Sequence, residues 1–191
     1  DVLASLNGLA VLYHAAGRYA EAEPLMKRSL AIAEKQPGPD HLDVGESIGN
    51  LADLFQAQGR YAEAEPLYRR SLTIREKAQG TEHTSLGTTL RGLAALLRAQ
   101  GRYAEAEPLY KRNLAIAEKA GGADSHNVGA SLHDLAGLYE DEGRFAEAEP
   151  LAKRALEIAE KTVGSNHQDF SIALLELASL YHAEGRYAEA E

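Results

Sequence analysis

The sequence predicts an all-α protein in which one pair of helices is repeated along the chain. The phrase GRYAEAEP occurs at residues 17–24, 59–66 and 101–108, with one change at 143–150 and a partial copy from residue 185, so the period is 42 residues. Apolar residues recur at helical spacing between these copies, and no alternating strand pattern competes with them. Because the period is fixed, the repeat is the structural unit.

Each repeat is predicted to contain two amphipathic helices joined by a tight turn. In the second repeat, the first helix carries Ile48, Leu51 and Phe55, and the second helix starts at Tyr61. Gly59 interrupts the periodicity between them and predicts a turn, because glycine adopts a positive φ at little cost. The pattern places helices at about 2–16, 19–36, 43–58, 61–79, 85–100, 103–120, 127–142, 145–162 and 169–184.

Short polar loops lead from each repeat into the next. The second helices end near Gly38, Gly80, Gly122 and Gly164. Loops such as GPDHLD and GTEHTS then carry Asp, Thr and Ser, and we expect these residues to cap the following helix. The chain is predicted to be a single repeat array of approximate units 1–42, 43–84, 85–126, 127–168 and 169–191, the last incomplete.

Alanines that recur with the period indicate how the helices pack. Alanine at a helix crossing lets two backbones approach closely. The first helices carry it at Ala10, Ala52, Ala94, Ala136 and Ala178, and the second helices carry it at Ala22, Ala64, Ala106, Ala148 and Ala190. Apolar surface left on one pair should be covered by its neighbour, so stability is expected to be a sum over units and their interfaces.

Composition excludes several classes of function. Of the 191 residues, 45% are apolar and 26% are charged, which is ordinary for a folded protein. The net charge of −9 argues against nucleic acid as a partner, because phosphate binding needs clustered Lys and Arg. No apolar run approaches the ~20 residues of a membrane span. The chain has no cysteine, which is compatible with a reducing compartment, and we predict a cytoplasmic location.

The repeat resembles a known motif. The positions concerned are Leu51, Ala52, Phe55, Gly59, Tyr61, Ala64, Tyr68 and Leu72, which are similar to those of the tetratricopeptide repeat. Ile48 stands for its tryptophan, Ala52 for its glycine and Glu76 for its late proline. The longer period of 42 resembles the arrays of kinesin light chains and their bacterial relatives. The resemblance implies a right-handed superhelical solenoid of antiparallel helix pairs, with the first helices lining a concave groove that binds partner segments.

Glutamates that could suggest acid–base catalysis have a simpler explanation. Glu21, Glu23, Glu63 and Glu65 recur with the period in the first turn of the second helices, where the helix dipole favours negative charge. No HExxH, GxxxxGK or serine nucleophile motif occurs. We therefore predict no enzymatic activity and no cofactor.

Histidines raise the question of a metal site. His41, His83 and His167 occupy one loop position, one or two periods apart, and so lie too far from one another to share a zinc ion. His126 is one residue out of this register, with Ser125 in the repeated position. We expect these residues to pack the loops or cap helices, and we predict no metal site.

The candidate binding positions are those at which the repeats differ. They lie on the first helices, on the face that the resemblance places in the groove. They are Ala4, Asn7, Gly8, Val11 and His14; Glu46, Gly49, Asn50, Asp53 and Gln56; Thr88, Arg91, Gly92, Ala95 and Arg98; Ala130, His133, Asp134, Gly137 and Glu140; and Ile172, Leu175, Glu176, Ser179 and His182. Such variation fits a binding face, and it also fits an exposed face under no constraint.

Two features favour binding. Gly8, Gly49, Gly92 and Gly137 occur within the helices, where glycine costs ~1 kcal/mol relative to alanine, and their missing side chains should leave shallow pockets or room for a close backbone. Arg91 and Arg98 are seven residues apart and so share a face, and His133 repeats the position of Arg91, which makes a basic spot. The Lys–Asn clamp of chaperone-binding tetratricopeptide domains is not matched.

The prediction is a noncatalytic protein interaction scaffold that binds a partner peptide or segment with acidic and apolar residues, without nucleic acid or membrane. Neither end of the sequence has the polar cap that a free solenoid needs. The alternatives are therefore a self-associating array that stacks end to end, or a regulatory module of a larger protein.

Overall fold

The computed structural model describes residues 2–35, 38, 40–164 and 167–190. These residues form α-helices, turns and one short 3₁₀-helix, and none of them forms a strand, so the all-α prediction is confirmed. The predicted end of one helix at residue 36 lies outside the described residues. Within the part of the chain described, no helix is both long and apolar enough to cross a bilayer.

The helices belong to two compact units, residues 1–96 and 97–191. The first unit contains α1 (Val2–Ala15), α2 (Tyr19–Lys35), α3 (Leu42–Ala57), α4 (Tyr61–Gln79), a 3₁₀-helix (Thr84–Leu86) and most of α5 (Gly87–Ala99). The second unit contains α6 (Tyr103–Gly121), α7 (His126–Asp141), α8 (Phe145–Val163), α9 (Gln168–Ala183) and α10 (Tyr187–Ala190). The predicted bounds are within two residues of these. The single array over 1–191 stays a prediction.

The turn glycines have the backbone conformation that the sequence predicts. Gly59 has φ 72°, and Gly17, Gly101, Gly143 and Gly185 lie between 71° and 75°. The Gly59 N–H donates to the Gln56 carbonyl at 2.9 Å, and the Arg60 N–H donates to the Phe55 carbonyl at 2.8 Å. These two bonds close the end of α3 in the Schellman arrangement. The glycine therefore lets the chain reverse direction while the last carbonyls of the helix stay paired.

The core of each unit lies between successive repeats. In the first unit, Ala33 of α2 and Ile74 of α4 pack with Val44 and Ile48 of α3, which lies between them. The second unit repeats the arrangement with Ala117, Val128, Leu132, Ala155 and Ile158. The crossing alanines are buried from Ala10 to Ala136 and from Ala22 to Ala148, as predicted; Ala178 is half-buried, and the side chain of Ala190 lies outside the described residues.

The arginine of the repeated phrase links neighbouring repeats. Arg60 donates to Glu23 of the preceding repeat at 2.8 Å and to Glu63 of its own helix at 2.7 Å, and its guanidinium lies 3.9 Å from the centre of the Phe55 ring. In the second unit, the same contacts join Arg144 to Glu107, and Arg186 to Glu149. The phrase glutamates are therefore ion-pair partners between repeats, in addition to the predicted contribution near the helix dipole.

Two of the loop histidines cap helices. The Nδ1 atom of His41 accepts from the N–H of Asp43 at 3.3 Å at the start of α3, and Nδ1 of His83 accepts from the N–H of Ser85 at 3.2 Å. The capping role predicted for histidine is confirmed at these sites. The expectation that Asp, Thr and Ser supply the caps is wrong there, and Ser125 stands at the cap position of α7 without forming a side-chain cap bond.

Candidate interaction surface

The structure leaves most of the predicted binding positions accessible. In the first unit, Ala4, Gly8, Val11, Glu46, Asp53, Thr88 and Arg91 are exposed, and His14, Asn50, Gln56, Gly92 and Ala95 are half-buried. In the second unit, Ile172, Leu175, Ser179 and His182 are exposed, and Arg98, Ala130, His133, Asp134, Glu140 and Glu176 are half-buried. Within each unit the first helices touch, α1 with α3 and α7 with α9. Each pair therefore presents its positions on adjoining helices.

Three predicted positions belong to the packing of the helices. Asn7 is only 8% exposed, and its amide lies 3.5 Å from the hydroxyl of Ser47 in the next repeat. Gly49 and Gly137 are also buried. The surface open to a partner is correspondingly smaller than predicted.

The expected pockets beside two of the glycines are occupied by the protein itself. A Cβ atom on Gly92 would lie 2.7 Å from Cε1 of Tyr68, and one on Gly137 would lie 2.8 Å from Nη1 of Arg98. By contrast, a Cβ on Gly8 would meet nothing within 4 Å. The prediction of open pockets at Gly92 and Gly137 is therefore wrong, because these glycines make room for side chains from the preceding repeat.

Tyr68 is a buried residue that supports two of the predicted positions, and no motif in the sequence indicates this. Its hydroxyl lies 2.5 Å from Oδ1 of Asp53 and 2.5 Å from Oε1 of Gln56, two of the predicted positions on α3. Burial and the Asp53 carboxylate raise the pKa of Tyr68 well above its usual range, so the phenol stays protonated and donates. Tyr68 thereby fixes part of the polar face of the first unit.

The predicted basic spot is partly neutralised. Nε of Arg98 donates to Oδ2 of Asp141 at 2.6 Å, and Asp141 stands at the end of α7 in the next repeat. The side chain of Arg98 thus passes over the backbone at Gly137, and its guanidinium pairs with the carboxylate of Asp141. An acidic partner at Arg98 would have to compete with Asp141.

Two side-chain contacts join α7 and α9. His133 Nδ1 bonds to Glu176, whose side chain is only 7% exposed. Ser179 donates to Oε1 of Glu140 at 2.9 Å. All four are predicted binding positions, so the structure does bring these positions together. Among the described residues, no group of three His, Cys, Asp or Glu side chains could hold a metal ion.

Comparison with known proteins agrees with this architecture. The tetratricopeptide repeat family model matches residues 1–77, 85–161 and 134–191. A crystal structure of a Podosopora anserina putative kinesin light chain with nearly identical TPR-like repeats is 32% identical, with a TM-score of 0.85 over 98% of this chain and 89% of that one. No curated protein matches the sequence significantly.

Two more distant structures share the fold. BtubC (BKLC) from P. vanneervenii is 24% identical, with a TM-score of 0.87 over 99% of this chain and 76% of that one. A Rap protein complexed with Competence and Sporulation Factor is 17% identical, with a TM-score of 0.79 over 99% of this chain and 50% of that one. The family model spans nearly the whole sequence, and the helix pairs have the predicted turns and crossings. The chain therefore belongs to the tetratricopeptide repeat family, with repeats similar to those of kinesin light chain-like proteins.

Proposed function

We propose that this chain is a noncatalytic interaction module whose first-helix surfaces bind a segment of a partner protein. The observation that carries the proposal is a contrast between two positions of the first helices. The crossing alanines from Ala10 to Ala136 are buried, whereas one position reads Ala4, Glu46, Thr88, Ala130 and Ile172 and is exposed in every repeat but the fourth. A constant frame with a varied accessible face suits recognition, because changes there leave the packing intact.

The relatives support this proposal at the level of the family. Tetratricopeptide repeats generally serve as protein interaction scaffolds, and the Rap protein of the same fold was crystallised with Competence and Sporulation Factor. A partner of this chain would be held by several first helices together. Exposed ion pairs contribute only ~0–1 kcal/mol each, so apolar contacts must supply most of the affinity.

We expect the acidic side chain of the partner to bind at Arg91 rather than at Arg98. Arg91 is exposed on α5, whereas Arg98 is held by Asp141. Arg91 is the more exposed of the two arginines, so an acidic side chain of a partner can approach it directly. A change at Arg98 would also disturb the packing over Gly137 and the ion pair with Asp141. Arg91 is therefore the residue that we test.

The test is affinity capture from the source organism with the wild-type chain and three variants. Thr88→Arg and Arg91→Glu change the first-helix surface of α5, and Lys77→Glu on the exposed side of α4 is a control with the same charge change as Arg91→Glu. We expect a specific partner to be lost with Arg91→Glu because the charge is reversed, and recovered less with Thr88→Arg because the long side chain covers the exposed face. Lys77→Glu should retain it. Equal recovery of every protein by all forms would contradict the proposal.

Self-association is a second candidate, favoured by the outer face of α1. Leu12 is 67% exposed, whereas Leu54, which holds the same position in α3, is 0% exposed. Val2 and Leu9 are likewise exposed, whereas their counterparts Val44 and Leu51 are buried. The equivalent face of α3 packs against α2 of the preceding repeat, so the face of α1 is suited to a similar cover. A second copy of the chain could supply it without burying an unpaired fixed charge, because α1 contains no Asp, Glu, Lys or Arg.

Light scattering over a concentration series tests the second candidate. We expect the wild-type mass to rise with concentration and the Leu12→Glu variant to remain monomeric, because the new carboxylate would be desolvated in the contact. A constant monomer mass for both proteins at every concentration would exclude stacking through α1 in that range. Loss of stacking would leave the partner-binding proposal unaffected.

A further inference from the structure

The first helices of the second unit carry only negative fixed charge. The carboxylates are Asp134, Glu140 and Asp141 in α7, and Asp169 and Glu176 in α9. Neither helix contains Lys or Arg. The charge of this pair of helices is therefore opposite in sign to that of α5, which has two arginines and no carboxylate.

Exposed apolar side chains also occur on α9. Ile172 is 42% exposed and Leu175 is 70% exposed. They are three residues apart, and Ser179 and His182 continue the same stripe of the helix. The counterparts of Ile172 in the first unit, Ala4, Glu46 and Thr88, are exposed as well. Those of Leu175 are not uniformly exposed, because Asn7 and Gly49 are buried whereas Arg91 is exposed.

A hydrogen bond holds one carboxylate beside this apolar stripe. Ser179 lies one turn after Leu175, and its hydroxyl donates to Glu140 of α7 at 2.9 Å. The donor is neutral, so this bond leaves the negative charge of Glu140 in place. We call Ile172, Leu175, Ser179, His182 and Glu140 the acidic–apolar patch.

The cations of the second unit are largely paired elsewhere. Arg98 is held by Asp141, and His133 by Glu176. The basic residues of α8 pair with carboxylates of second helices and loops, namely Lys153 with Glu149, Arg154 with Glu118, and Lys161 with Asp124. Asp141 and Glu176 are therefore already paired within the protein, and the carboxylate that the patch offers to a cation of a partner is that of Glu140.

We propose that the acidic–apolar patch binds a partner segment in which an aliphatic or aromatic side chain stands within a few residues of Lys or Arg. The apolar side chain covers Ile172 and Leu175 and supplies most of the affinity, and the cation approaches Glu140 and steers association. An acidic segment would be repelled here. The inference rests on the proposed function, and it adds the chemical class of the partner for this surface.

The experiment selects random linear peptides displayed on phage against the whole chain and measures the enriched peptides by fluorescence anisotropy. We expect enrichment of Leu, Ile or Phe close to Lys or Arg. Leu175→Ser should weaken binding about tenfold through the lost apolar contact. Glu140→Gln should weaken it about threefold at low salt and less at high salt, because salt screens exposed charges.

Val163→Ser is the matched control, because it removes another exposed apolar side chain of the second unit outside the patch. It should leave the affinity unchanged, and circular dichroism should be the same for all three variants. Enrichment of acidic peptides, or binding that ignores both Leu175→Ser and Glu140→Gln, would overturn the inference. If peptide binding were lost only with the α5 variant Thr88→Arg, the proposed function would still be supported although the inference about the patch would fail. If the chain captured neither peptide nor protein, both the proposed function and this inference would be overturned.

Discussion

The aromatic ring of Tyr68 occupies the space in which a side chain at Gly92 would lie. The glycine Cα is in α5, the ring comes from α4, and the phenol continues to Asp53 and Gln56 on α3. Three helices of the first unit therefore meet at one side chain that is only 1% exposed. A methyl group on Gly92 could be accommodated only if this buried ring moved.

We predict that Gly92→Ala destabilises the first unit. Overpacking a filled site costs about 1–3 kcal/mol, which exceeds the gain of up to ~1 kcal/mol from replacing glycine inside a helix. Gly8→Ala is the matched control, because its Cβ would meet nothing within 4 Å, and it should stabilise by about 0.5–1 kcal/mol. Urea denaturation of both variants measures the two effects, and stabilisation by Gly92→Ala would show that the ring moves freely.

A second prediction concerns pH and the ion pairs between repeats. Hydrogen bonds from Arg144 lower the pKa of Glu107 to about 2, and those from Arg186 lower the pKa of Glu149 to about 2. Because the unfolded carboxyl has a pKa near ~4.3, the folded state gains stability above that value and loses it as the pH falls towards about 2. Solvent screening limits the gain to about 1 kcal/mol per site.

The variant Glu107→Gln/Glu149→Gln isolates this contribution. At neutral pH it should be less stable than the wild type, and the difference should shrink as the pH is lowered to about 2, because the wild-type carboxyls then become protonated. Glu157→Gln, at an exposed position of α8, is the control and should follow the wild type. Denaturant midpoints across the pH series measure the difference, and a gap that persists unchanged in acid would argue against these ion pairs.

A third prediction concerns the cap at His83. Removing its Nδ1 acceptor in His83→Ala should cost about 0.5–2 kcal/mol, whereas His83→Asn supplies another acceptor and should retain most of the stability. Ser125→Ala is the matched control at the equivalent loop position, because its hydroxyl forms no cap bond and is buried without a hydrogen-bond partner. Thermal unfolding should rank His83→Ala lowest, and equal losses at His83 and Ser125 would contradict the capping role.

The repeat frame could be predicted from sequence because its determinants are local. A glycine at a turn, such as Gly59, and an alanine at a crossing, such as Ala52, act through backbone conformation and size, which the residue type already specifies. Whether a position on the surface is open, filled or paired depends on contacts with residues that are distant in the sequence. No pattern on α5 or α7 alone shows that Tyr68 fills the space at Gly92 or that Asp141 holds Arg98.

One signal could have indicated the first of these contacts. The position of Tyr68 reads Met26, Tyr68, Tyr110 and Ala152 in successive repeats, so it varies although the other second-helix positions around it are nearly constant. Its counterpart on the next first helix reads Asn50, Gly92, Asp134 and Glu176. The large Tyr68 thus accompanies glycine and the small Ala152 accompanies glutamate, as expected for two positions that share one space. Tyr110 accompanies Asp134, so residue size alone does not identify the contact.

The last prediction is a coupling between Arg98 and Asp141 across one repeat interface of the second unit. Both side chains remain partly exposed, so a double-mutant cycle of Arg98→Ala and Asp141→Ala should give about 0.5–1 kcal/mol of coupling in urea denaturation. Arg98→Ala should cost more than this coupling alone, because it also empties the space over Gly137 that the guanidinium fills. Gly137→Ala in the Arg98→Ala background should therefore recover stability, whereas in the wild-type background it should be destabilising. Strict additivity of all these changes would mean that Arg98 does not occupy this position in solution, and Arg98 would then be as available to an acidic partner as the sequence predicts.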